Sequence, residues 1–147
     1  MPRKQTSVSQ EDYLKAIFEM LEESQVPISA RLAEELDVTP PAVTAAVKRM
    51  ARDGHLKVDR GGRILLTAKG RKVAQHLMLR HHLAEMLLTE VIGLSWAKAH
   101  AEAERMEHAI SPEVEALLLK RFADKKTCPH GVPVRGGVTQ LRKQGGV

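Results

Sequence analysis

The tripeptide Thr39-Pro40-Pro41 leaves the chain almost one local choice. Two consecutive prolines cannot sit inside a helix, because each lacks an N–H and its ring clashes with the preceding turn. They are accepted in a first turn, where the N–H would be unpaired anyway, and Thr is a preferred N-cap. A helix is therefore expected to begin here. Val43, Ala46, Val47 and Met50 follow at helical spacing, and Gly54 ends the run. Upstream, Ser9 precedes Tyr13, Leu14, Ile17, Phe18 and Leu21, with Asp12 placed as in a capping box, which predicts a first helix over about 9–24. Val26-Pro27 breaks it, and Ser29 is expected to cap a short second helix with Leu32, Ala33 and Leu36 inward. Downstream, HLKVDRGGRILLT alternates around Gly61-Gly62 and reads as a small β-hairpin.

The order helix, short helix, tight turn, helix, hairpin predicts a winged helix-turn-helix. Beyond it the pattern is helical throughout. Thr67 is placed to cap a long helix over about 68–92 that stops at Gly93, Ser95 opens another over about 95–109, and Ser111-Pro112 opens a last one over about 112–123. The fold class is mainly α. The expected division is a DNA-binding winged domain over 1–72, a helical domain over 73–133, and a flexible tail over 134–147.

Composition narrows the function. A single cysteine excludes an internal disulfide framework and a four-cysteine zinc site. No apolar run approaches the length of a membrane span, and the N-terminus lacks the apolar core of a secretory signal, so the cytoplasm is the expected compartment and no membrane partner is expected. Aromatic residues make up 3%, too few for a stacking platform for single strands. The net charge of +5 conceals a strong asymmetry. Residues 39–72 carry nine Lys/Arg against two Asp/Glu, whereas residues 85–115 carry seven Glu against two Lys/Arg. The basic block suits phosphate contact and the acidic block suits cation binding, although either could be a solvated helix face.

The basic residues fall where a winged helix needs them. Lys48, Arg49 and Arg52 lie on the third helix, and Arg60 and Arg63 on the wing, placed to pair with phosphates of double-stranded DNA. Base reading would fall to Thr39, Pro40, Pro41, Ala42, Thr44 and Ala45, which are small and mostly apolar. Such residues meet thymine methyls but make few bidentate hydrogen bonds, so DNA shape would share the specificity. The alternative is a winged domain used for protein contact.

The second half carries the more unusual pattern. His81 and Glu85 are four apart, and His100, Glu104 and His108 are spaced by four with Glu107 between the last two. Residues three and four apart share a helix face, so two packed helices could hold a divalent cation between them. A single His–Glu pair would be a surface ion pair; six such groups on adjacent helices are harder to explain that way. The donors are oxygen and imidazole nitrogen with no thiolate, which suits Mn(II) or Fe(II), tolerates Co(II), Ni(II) or Zn(II), and disfavours Cu(I). HExxH is absent, so a zincin protease is unsupported. Cys128 and His130 in TCPHG read as a structural turn rather than a metal site.

Taken together, EDYLKAIFEM, TPPAVTAAVKRM, LTAKGRKVA, RHHLAEMLLTEVIGL, HAEAERMEHAIS and TCPHGVPV resemble the diphtheria toxin repressor family of iron- and manganese-dependent regulators, from about Glu11 to Pro133. The resemblance implies a metal-activated repressor, not an enzyme, working as a homodimer on a palindromic operator. It implies that the helical domain dimerises and binds metal. It also implies one ligand that the helical pattern does not suggest: Asp12, just before Tyr13. By resemblance the main metal site is Asp12, Glu104, Glu107 and His108, and the other is His81, Glu85 and His100; in manganese-type members His81 belongs with the main cluster. Asp12 and Glu104 match the manganese-type pattern, whereas Lys15 stands where those members have Glu. The SH3-like domain of longer members is not expected in the residues after the last helix.

Two other classes stay open on the residues: a metal-independent winged-helix repressor, and a small helical metalloenzyme, for which no nucleophile motif or phosphate loop is present. For assembly, Leu83, Leu87, Val91, Ile92, Leu94, Leu117 and Leu118 are expected to form a two-fold interface.

Overall fold

The computed structural model describes residues 8–123. The sequence divides into two compact units between Gln75 and His76. The expected tail, Cys128 and His130 lie outside the described residues.

The first unit holds α1 (Val8–Glu22), α2 (Ser29–Glu35), α3 (Pro40–Arg52), β1 (Leu56–Val58) and β2 (Ile64–Leu66), followed by the start of α4 (Ala68–Met86). Its core is the set the helical spacing selects: Leu14, Ile17 and Phe18 of α1, Leu32 of α2, and Val43, Ala46, Val47 and Met50 of α3 are all buried. Thr39 caps α3 through its hydroxyl oxygen, which accepts from the Ala42 N–H at 3.4 Å, and Pro40 is the first helical residue. Two other caps differ from expectation. α1 already runs from Val8, so Ser9 lies within its first turn. α2 is preceded by Ile28 in extended conformation with no side-chain cap, so Ser29 is its first residue.

β1 and β2 pair antiparallel with Leu56 opposite Leu66 and Val58 opposite Ile64. The wing is tied to the rest of the unit at its root. The Thr67 N–H donates to the His55 carbonyl at 3.1 Å and the Ile64 N–H to the Pro27 carbonyl at 2.9 Å. The Thr67 hydroxyl donates to the Gly54 carbonyl at 2.6 Å, and the Gly70 N–H donates to Thr67 Oγ1 at 3.2 Å, so Thr67 caps α4 as expected.

The second unit comprises the rest of α4, a π-helical turn over Leu87–Ile92 that Gly93 closes at φ 86°, α5 (Trp96–Met106) and α6 (Pro112–Arg121). The expected helix to residue 92 is thus α-helical only to Met86. Leu79, Leu83, Ala84, Met86, Ala103, Ile110, Leu118 and Phe122 form the core of this unit. Ser111 caps α6 by accepting from the Val114 N–H at 3.2 Å. The buried Glu115 carboxylate of α6 binds α4: His76 Nε2 is 2.9 Å from its Oε1, and Arg80 is 3.7 Å from its Oε2. No helix among the described residues is long and apolar enough to cross a membrane.

Leu83 and Leu118 are therefore consumed by the core of their own unit and are not left for a partner. Among the described residues of this unit the exposed large apolar side chains are Val91, Ile92, Trp96, Val114 and Leu117. Trp96 and Val114 escape a reading by apolar stripes because each sits singly in the first turn of its helix, among polar or small neighbours.

Candidate nucleic-acid interface and metal centre

α3 divides cleanly into two faces. Val43, Ala46, Val47 and Met50 are inward, while Pro40, Pro41, Ala42, Thr44, Ala45, Lys48, Arg49 and Arg52 are exposed. All the residues expected to meet DNA on this helix, together with the cap Thr39, therefore face outward. The first turn has no N–H to offer a ligand. Pro40 and Pro41 have none, Ala42 donates to Thr39 Oγ1, and Val43 donates to the Thr39 carbonyl at 3.1 Å. The Thr44 hydroxyl donates back to the Pro40 carbonyl at 3.1 Å, which leaves its methyl group as the outward feature.

The wing tip is shaped by Asp59. Its Oδ1 accepts from the N–H groups of Gly61 and Arg63, both at 2.9 Å, and Gly62 takes φ 79°, a conformation that favours glycine. Arg60 and Arg63 are exposed on this hydrogen-bonded loop. At the wing root His55 is buried, with Nδ1 lacking a hydrogen-bond partner among the described residues. Burial lowers the pKa of its imidazole, nearby Lys69 lowers it further, and Asp53 opposes both.

In the second unit, α4 supplies His81 and Glu85, and α5 supplies His100 and Glu104, each pair separated by one helical turn. His81 Nε2 lies against Glu85 Oε1 and 3.2 Å from His100 Nδ1, and His100 Nδ1 is 3.3 Å from Glu85 Oε1. One ligand atom from each of His81, Glu85 and His100 thus falls within 4.8 Å of the others. The remaining nitrogen of each histidine is also engaged. His81 Nδ1 is 2.6 Å from Glu107 Oε2, and His100 Nε2 is 3.1 Å from Glu104 Oε1. His81, Glu85 and Glu107 are buried, whereas His100 and Glu104 are more than half exposed.

Glu107 and His108 follow the end of α5, with Glu107 Oε1 3.7 Å from His108 Nε2. Two atoms that share one ion at about 2.1 Å each lie up to about 4.2 Å apart, so this spacing fits. Glu104, expected beside them, has its carboxylate on the His100 ring. Asp12 is half-buried on α1, in the first unit, with Lys15 buried one turn further on.

The donor set fits a divalent cation. Each histidine presents one nitrogen to a shared point and keeps the other on a carboxylate, which fixes the tautomer and raises the basicity of the ligating nitrogen. Two buried carboxylates against one buried ring also place negative charge where a cation would offset it.

Comparison with known proteins agrees with both halves. Residues 5–62 match the family described as iron dependent repressor, N-terminal DNA binding domain, and residues 67–135 match its metal binding and dimerisation domain. The chain is 46% identical over 126 residues to the diphtheria toxin repressor of Corynebacterium jeikeium, covering 86% of this chain and 52% of that protein. It is likewise 46% identical to the iron-dependent repressor IdeR of Mycobacterium tuberculosis, covering 86% and 55%. The chain thus spans about half the length of these relatives. Among solved structures, the manganese regulator SloR is similar with a TM-score of 0.75 and 34% identity, over 85% of this chain and 58% of that one. The winged helix with its basic outward face lies within the matched DNA binding domain and the carboxylate-backed histidine cluster within the matched metal binding and dimerisation domain, and the chain belongs to the iron-dependent repressor family.

Proposed function

We propose that this chain is a metal-activated transcriptional repressor that binds a palindromic DNA operator as a homodimer in the cytoplasm, with Mn(II) or Fe(II) as its effector. One observation carries the metal half: both histidines of the His81, Glu85 and His100 group hold their second nitrogen on a carboxylate. Surface ion pairs do not require that arrangement, whereas ligating histidines nearly always have it. The set lacks a thiolate, which ranks manganese first and iron(II) close behind, with Co(II), Ni(II) or Zn(II) as substitutes.

In this reading His81, Glu85 and His100 hold one ion. Glu107 and His108 hold another with Asp12, and Glu104 either joins them or steadies His100. The ion supplies positive charge that relieves repulsion among the carboxylates. Asp12 belongs to the DNA-binding unit and the other ligands to the helical one, so a shared ion restrains the first against the second. On a two-fold operator the recognition helices must meet half-sites about 34–36 Å apart or a multiple of it. Restraint raises the fraction of protein able to do so, a population shift that needs no catalysis. The wing and α3 cations supply affinity through phosphates, and the small residues of α3's first turns supply sequence reading.

The test is DNA binding by the purified chain to duplexes selected from a random pool, at controlled free Mn(II) and Fe(II). Tight binding that a chelator abolishes and manganese restores is expected. Binding unchanged by chelator favours a metal-independent winged-helix repressor and overturns the metal half.

A further inference from the structure

The His81 side chain touches two buried carboxylates, those of Glu85 and Glu107. Its Nε2 faces Glu85 and His100, and its Nδ1 lies 2.6 Å from Glu107 Oε2. Both ends of this contact are closed to water: His81 is 4% exposed and Glu107 1%. The ring is also held edge-on by two other imidazoles, those of His82 and His100.

Resting on the metal reading above, we propose that His81 serves two cation sites in different ways: as a ligand through Nε2 with Glu85 and His100, and as the positioning residue of Glu107 through Nδ1–H. A neutral imidazole carries one N–H. When Nε2 ligates an ion, the hydrogen must sit on Nδ1, where Glu107 Oε2 is the acceptor. That bond occupies a lone pair of Oε2 and fixes the plane of the carboxylate. Glu107 then turns Oε1 towards His108, 3.7 Å from its Nε2. His81 thus sets which atom of Glu107 ligates, without itself touching the second ion. This differs from an arrangement in which His81 joins the Glu107 cluster as a ligand, because Nδ1 would then bond metal and could not donate to Glu107.

The two roles separate by substitution. Asn places its amide nitrogen as far from Cβ as Nδ1 is, so His81→Asn keeps the donor to Glu107 and removes the Nε2 ligand. His81→Gln places its amide nitrogen near Nε2 instead, and His81→Leu removes both. The probe is Mn(II) alone, titrated calorimetrically into the full chain, with far-UV circular dichroism to confirm folding. Wild type is expected to bind two ions. His81→Asn should bind one at close to the wild-type affinity of the Glu107 and His108 site. His81→Gln and His81→Leu should bind at that site about 10–100-fold more weakly, the usual loss when a ligand's outer partner is removed. If His81→Leu fails to fold, the Asn and Gln pair decides alone. Equal affinity at that site in all three variants overturns the positioning role. Equal weakening in all three also overturns it, because it makes His81 a ligand there. Failure of wild type to bind any Mn(II) refutes the metal reading itself, which distinguishes that failure from a failure of His81.

Discussion

Gly70 lies so close beneath the carbonyl of His55 that a Cβ on Gly70 would stand 1.9 Å from the oxygen. Gly70 belongs to the first turn of α4, and His55 precedes the first wing strand. Gly70→Ala is therefore expected to force the wing root away from α4 and to cost about 2–3 kcal/mol, the scale of overpacking in a well-filled site. Thermal unfolding should show a clear fall in Tm, with DNA affinity reduced in parallel. An unchanged Tm would mean that the two elements are not in this contact.

His55 makes the same junction sensitive to acid. Burial lowers its folded pKa below the ordinary value of about 6.5, so the unfolded chain binds the proton more readily. The neutral ring's contribution to stability is complete above about pH 6.5 and is lost as pH falls through the lowered folded value. His55→Leu should remove this part of the acid dependence and also remove the buried, unpartnered Nδ1. Unfolding of both proteins with chelator present, between pH 5 and pH 8, checks it. Tm curves that run parallel across that range would contradict the prediction.

Glu107→Ala or His108→Ala should leave a folded chain whose DNA binding no longer responds to manganese. Asp12→Ala should weaken the response while sparing dimerisation, since Asp12 belongs to the DNA-binding unit. Calorimetry with Mn(II), paired with operator binding, reads both effects. Full manganese activation in the Glu107 and His108 variants would remove these residues from the site.

If the exposed Lys48, Arg49, Arg52, Arg60 and Arg63 meet phosphates, as proposed, DNA binding should fall steeply with salt. Arg60→Ala with Arg63→Ala should flatten the slope of log affinity against log salt by about two, nearly one unit per phosphate contact. A bulky residue at Pro41 should instead change sequence preference with little effect on that slope. Competition binding at several salt concentrations separates the two behaviours.

Ile92, Trp96 and Leu117 are 67%, 63% and 62% exposed, high values for large apolar side chains. They are expected to be covered by a second copy of the chain in an interface above about 1,200 Å² in total. Trp96→Asp with Ile92→Asp should produce monomers at micromolar concentration in sedimentation, and the wild type dimers. Dimerisation unaffected by both charges would place the interface elsewhere.

Local chemistry made the winged domain legible in the sequence. Two prolines after a threonine admit one helix start, and Gly61-Gly62 between alternating apolar residues admits one turn. The i, i+4 spacing of His81 with Glu85, and of His100 with Glu104, places each pair on one helix face from the sequence alone. What remained hidden depends on tertiary contact. Spacing puts Glu104 on one face with both His100 and His108, the resemblance assigns it to the His108 group, and the structure has its carboxylate on His100 Nε2. Likewise Leu83 and Leu118 look as available as Ile92, until packing against Phe122 and Ile110 buries them. Ser9 and Ser29 have good cap chemistry, yet both lie inside their helices, Ser9 one residue after Val8 and Ser29 as the first residue of α2.

The saturated first turn of α3 also bears on competition. Helix N-termini commonly attract phosphate, sulfate and carboxylate groups through their open N–H donors. Here prolines and the threonine cap have closed that end. Small anions therefore find no open N–H among Pro40, Pro41, Ala42 and Val43, the first turn of the helix that would face the operator's bases. Polyanions such as heparin should displace DNA only by engaging the Lys and Arg side chains around it, so an inhibitor of this surface would have to imitate a strand's spacing of charges rather than a single phosphate.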